Sequence, residues 1–122
     1  MAITKTAAVV GVLGEEHVAK FLISSGWQIL DRNWRIKEGE IDLIATREDS
    51  LLIFVEVKTR SSATHGDPLE AINPVKAQRI QRLALAWLAT HGRLGSEYRI
   101  DVAGVLITRS GEFILDYREA IL

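Results

Sequence analysis

The stretch from Gly39 to Arg60, GEIDLIATREDSLLIFVEVKTR, constrains this chain most, because it places carboxylates inside what otherwise reads as core strand. Two apolar runs, Ile41 to Ala45 and Leu51 to Val57, flank a charged break. A buried carboxylate without a partner costs several kcal/mol. Asp42 and Glu56 therefore call for a cation, a salt bridge or a raised pKa. Side chains two apart share a strand face, so Glu56 goes with Lys58 and Glu40 with Asp42. An antiparallel hairpin brings Asp42 opposite Glu56 if its loop holds an odd number of residues, for example Glu48, Asp49 and Ser50, with Arg47 opposite Leu51. One face then carries two or three carboxylates and an ammonium. Like charges so close do not all ionise unaided, and a hard cation such as Mg2+, bound by a few carboxylates, waters and substrate phosphates, resolves the conflict. The lysine beside it suits a developing negative charge, as phosphodiester hydrolysis requires.

The rest of the chain is compatible with one domain. At 122 residues, 48% of them hydrophobic and 25% charged, it has the size and composition of a single globule with a real core. There is no cysteine, which excludes disulfides and thiolate metal sites. The apolar run Ala7 to Leu13 is too short to span a membrane and is followed at once by Gly14, Glu15 and Glu16, so a cytoplasmic location is expected. A net charge of −1 argues against a strongly basic nucleic-acid binder. The charge is unevenly spread, however. Between Lys58 and Arg99 seven Lys and Arg residues face three acids, a local excess of cations that suits a basic rim around an acidic site.

Periodicity predicts a helix over Thr6 to Ser25, closed by Gly26. At about 100° per residue Glu15 lies in line with Val18, Ala19 and Leu22, while Glu16 turns outward toward Lys20. Glu15 is then either the partner of an arginine or a further carboxylate at the metal. His17 reads as a surface or packed histidine. Trp27 to Trp34 predicts a strand, Lys37 to Gly39 a turn, and the polar stretch Thr59 to Ile72 a loop. Asn73 and Pro74 announce a second helix that ends before Gly92. Its stripe is Ile80, Leu83, Ala84 and Trp87, with Lys76 in line, while Arg79 and Arg82 lie off it, where a solvated helix face explains them well. Lys76 sits where the helix dipole favours anions, and a bound phosphate reconciles the two. Tyr98 to Ile107 predicts a strand buried on both faces, parallel to the Leu51 strand, and Glu112 to Tyr117 a last one. Asp101 is expected to pair with a nearby arginine. The fold class is α/β, a mixed β-sheet flanked by helices in the order αβββαββ.

In these residues the chain resembles the YraN family of bacterial proteins, within the PD-(D/E)XK nuclease superfamily and similar to Holliday junction resolvases. Gly14-Glu15, Arg32-Asn33, GEIDLIA, FVEVKTR, the Gly66, Pro68, Glu70-Ala71 series and Lys76 carry the likeness. It implies a restriction-endonuclease-like core and a catalytic set of Asp42, Glu56, Lys58 and Glu15. Asp42, Glu56 and Glu15 would ligate Mg2+ or Mn2+, with Glu40 in support. Ile41 stands where the superfamily name has proline. The implied activity is hydrolysis of DNA, with branched or single-stranded forms as candidate substrates and Arg60, Lys76 and Arg79 on the nucleic acid. A non-catalytic nucleic-acid-binding or adaptor protein is the alternative, and an internal salt-bridge network of Asp42, Glu56 and Lys58 is the third reading. No membrane partner is expected, and a homodimer is left open.

Overall fold

A computed structural model describes residues 6–48, 51–61 and 73–121. The elements are α1 (Ala7–Ser24), β1 (Gln28–Ile36), β2 (Gly39–Arg47), β3 (Leu51–Ser61), α2 (Pro74–Thr90), β4 (Glu97–Ile107) and β5 (Phe113–Arg118). This is the expected αβββαββ order. The sheet runs β1-β2-β3-β4-β5, antiparallel except for the β3–β4 pair, which is parallel as the intervening helix predicts. Arg47 pairs with Leu51, the register that the odd-loop argument required. One boundary differs. Thr59 to Ser61, expected to open a loop, continue β3, because Val105, Leu106 and Ile107 of β4 extend alongside them. The Gly66, Pro68 and Glu70-Ala71 series lies outside the described residues.

Each helix covers one face of the sheet. The Thr6 side chain accepts the Val9 N–H to cap α1, and Gly26, with φ of 93°, turns the chain out of the helix. Val10, Gly14, Val18 and Leu22, spaced by four, are buried on its inner stripe. They pack with Leu43, Ala45, Ile53, Val55, Val57, Ala103 and Val105. Asn73 caps α2 through the Lys76 N–H, with Pro74 in the first turn. Ile80, Leu83, Ala84, Trp87 and Leu88 meet Ile44, Leu52, Phe54 and Ile100 on the opposite face. Phe54 is held edge-on between Trp87 and Tyr98, both 5.7 Å away. His17 stacks on Phe113 at 4.5 Å, a packed histidine as expected.

Asp101 is fully buried and has an arginine, as predicted: Arg99 Nε lies 2.9 Å from its Oδ1. The Tyr117 hydroxyl donates to Oδ2 at 2.6 Å and the Ala120 N–H to Oδ1 at 2.9 Å. A buried charge so fully bonded ties β5 and the segment after it to β4.

Gly14 lets α1 come close to β3. A Cβ there would land on Thr59 Oγ1 and lie within 2.8 Å of the Thr59 Cβ and Cγ2. Gly14→Ala is expected to destabilise the protein by about 1–3 kcal/mol in a denaturant melt, as overpacking does. Thr59→Ala, which removes two of the three clashing atoms, should recover part of the loss. Purely additive effects of the two substitutions would refute the contact.

Candidate functional site

The site forms where β2 and β3 part. Their pairing runs from Arg47–Leu51 to Leu43–Val55. Beyond it, the Val57 N–H donates to Asp42 Oδ2 at 2.8 Å, a side chain in the place of a main-chain acceptor. Alternation also breaks here. Leu43 and Ala45 pack under α1, whereas Ile41 packs under α2, although all three have the same parity. The Asp42 carboxylate thus lies in the seam between the two strands.

Carboxylates converge on this seam. Glu15 reaches it from α1, its Oε1 accepting from Asn33 Nδ2 at 2.7 Å. Asn33 has φ of 49°, a left-handed conformation that asparagine tolerates better than most residues. Glu40 reaches the seam from β2, its Oε2 2.6 Å from Arg35 Nη2. Glu15, Glu40 and Asp42 each offer an oxygen within 4.8 Å of the others, a spacing able to hold a metal ion. Glu56 stands outside this tight trio, its Oε1 3.1 Å from Lys58 Nζ.

Two cavities open on the seam. On the α2 side, one of about 210 Å3 is lined by Gly39, Glu40, Glu56, Lys58, Lys76, Arg79, Ile80 and Leu83. On the α1 side, one of about 90 Å3 is lined by residues that include Glu15, Arg32, Asn33 and Asp42. Strict alternation had put Asp42 and Glu56 on one flat face. Instead they open on different cavities, because Asp42 sits where the ladder has ended. They remain close enough to act on each other electrostatically. Lys76 and Arg79 stand over the Glu56–Lys58 cavity. Arg60, half-buried on β3, is not among its lining residues and donates to Thr59 O at 3.4 Å.

Electrostatics decides whether a cation fits. Burial pushes Asp42 up to about 8, helped by Glu56, Glu15 and Glu40 and opposed by the Val57 N–H. Burial also raises Glu15, the Asn33 hydrogen bond opposes this, and Glu40 and Glu56 add to it. The ion pairs recorded around the seam leave Asp42 and Glu15 aside: Arg32 to Glu16 at 2.8 Å, Arg35 to Glu40 and Lys58 to Glu56. Asp42 and Glu15 therefore gain most from a cation, and an all-oxygen set is what Mg2+ or Mn2+ takes. Glu16, not Glu15, is the glutamate of α1 with an arginine partner. Glu40, expected in support, lies within the tight trio. Asn33 had no role assigned, although an asparagine inside a strand pattern is a signal for positive φ.

Together these features define an α/β protein with a mixed five-stranded sheet, a helix on each face and an acidic cleft bordered by a lysine. The chain belongs to the uncharacterised protein family UPF0102, whose profile matches residues 14–105 and so spans Glu15, Glu40, Asp42, Glu56, Lys58 and Lys76. A UPF0102 protein of Beutenbergia cavernae is 47% identical over 102 residues, covering 84% of this chain and 86% of its own. One of Nocardia farcinica is 45% identical over 111 residues, covering 91% and 87%. Among solved structures, Pyrococcus furiosus SfsA in complex with Ca2+ aligns with a TM-score of 0.42 at 20% identity, over 92% of this chain and 63% of that one. An EndoMS–dsDNA2 complex aligns at 0.40 and 16%, over 91% and 42%. No helix among the described residues is long and apolar enough to cross a membrane.

Proposed function

We propose that this protein is a metal-dependent endonuclease that hydrolyses phosphodiester bonds of DNA. One observation carries the reading: three crowded carboxylates, Glu15, Glu40 and Asp42, adjoin a cavity in which Glu56 and Lys58 sit beneath Lys76 and Arg79. A structural salt-bridge network would match each carboxylate with a cation, and Asp42 and Glu15 are not matched so among the described residues. A binding module would have no use for acids that repel phosphate. Asp42, Glu15 and Glu40 would hold Mg2+ or Mn2+, with Glu56 beside them. The ion would polarise the phosphate and lower the pKa of bound water. Lys58 presents its ammonium to the charge that develops on the phosphoryl oxygens. Lys76 and Arg79 hold the neighbouring backbone.

The test is strand cleavage of branched, single-stranded and duplex DNA in Mg2+ and in Mn2+, read beside gel shifts. Breaks that need the metal support the proposal. Binding without breaks on every substrate transfers the protein to the adaptor reading. Thermal melting supplies a second readout, since an ion that binds only the folded chain stabilises it. Mn2+ should raise the melting temperature of the parent. Glu56→Gln should leave the apo protein folded and diminish that rise strongly; an undiminished shift removes Glu56 from the metal's surroundings.

A further inference from the structure

Next to the Glu56–Lys58 cavity lies a larger one of about 510 Å3, lined by Ile36, Glu38, Arg79, Arg82, Leu83 and Ala86. Arg79 and Leu83 line both, so the two are neighbours along one side of α2. Their chemistry differs. The smaller is ringed by charged side chains and suits a phosphate. The larger has an aliphatic floor of Ile36, Leu83 and Ala86. At its rim are two guanidinium groups about one helical turn apart and, from the turn between β1 and β2, the carboxylate of Glu38. Its volume falls within the range of about 300–1,000 Å3 usual for small-molecule sites, which the smaller cavity does not reach.

An apolar seat with arginines at its rim, next to a cavity suited to a phosphate, matches the group that a nucleic acid carries beside each phosphate. A base has a planar apolar face for the floor and a π system for guanidinium planes. Its exocyclic amino group suits a carboxylate acceptor such as Glu38. From this adjacency, and resting on the nuclease reading above, we infer that the cavity lined by Ile36, Leu83, Ala86, Arg79 and Arg82 seats an unstacked nucleobase of the bound strand. The substrate is then single-stranded beside the reacting phosphate, because a base in a duplex has both faces covered by its neighbours and must be extracted at a cost.

The test compares the affinity of the full chain for a single strand of about ten nucleotides with that for an abasic strand of equal length and charge. Both are measured in Ca2+, with the uncut fraction checked on a gel. Phosphate contacts cancel in the ratio, which reads the bases alone. The intact strand should bind about tenfold tighter or more, as stacking of one or two bases gives. Ala86→Leu, which places a branched side chain over the floor, should bring the ratio toward one without changing the affinity for the abasic strand. Arg82→Gln, on the exposed side of α2 and harmless to the core, should lower it as well. A parent ratio near one, with both strands bound, overturns the seat and leaves the nuclease reading standing. A large ratio untouched by either substitution places the base contacts elsewhere and also overturns it. If neither strand binds, the seat falls, and the nuclease reading is decided by the cleavage of branched and duplex DNA.

Discussion

Lys58→Ala is expected to lower the rate of DNA cleavage by about 10²–10³-fold, the usual loss when a preorganised donor to a developing oxyanion is removed. Affinity for uncut DNA should change little. The separation follows from where the ammonium lies. Nζ is 3.1 Å from Glu56 Oε1 and its side chain is only 28% exposed, so it is held inside the cavity and is poorly placed to grip the backbone at large. Lys58→Arg keeps the charge but replaces a compact ammonium by a broad planar fork, and should recover little activity. Equal cleavage by the parent and Lys58→Ala would sink the assigned role. A parallel fall in binding and cleavage would make Lys58 a binding residue instead.

Asp42→Asn should stabilise the protein in the absence of metal, by an amount that depends on pH. Aspartate ordinarily titrates near 3.8, and burial among carboxylates lifts Asp42 to about 8 in the folded chain. The folded state therefore holds this proton more tightly than the unfolded state does. Its contribution is complete below about pH 4 and is lost as the pH rises toward 8. Asparagine can still accept the Val57 N–H and does not ionise. The variant should match the parent near pH 4 and exceed it by about 1–3 kcal/mol near pH 8, the scale of a desolvated group left without its partner. The same substitution should abolish the Mn2+ response. Urea melts of the metal-free proteins across this pH range check it; a gap that does not widen with pH refutes a strained, ionised Asp42.

Much of this was legible because local chemistry and the fold agree. The start of α2 at Asn73 and Pro74, the glycines after both helices and the parallel crossover lie where residue type alone places them. The hairpin register is the one an odd-numbered loop sets, with Arg47 opposite Leu51. What escaped was the break in alternation at Asp42. Counting by twos assumes a regular strand, and β2 stops being regular where its carboxylate replaces the ladder. Hence Glu40 joins the tight trio in place of Glu56, and Asp42 and Glu56 open on separate cavities. Asn33 was hidden for a related reason: its position depends on a left-handed turn within β1 that no periodicity records.

That left-handed residue has a consequence for self-association. β1 is an edge of the sheet, and a flat edge strand with unpaired amides invites another chain to add to it. Here the strand is bulged between Ile29 and Asp31, turned out of line at Asn33 and studded with Asp31, Arg32 and Arg35. Such an edge offers no straight run of donors and acceptors. These irregularities disfavour continuation of the sheet by a second copy through β1, beside the opening to Glu15 and Asp42.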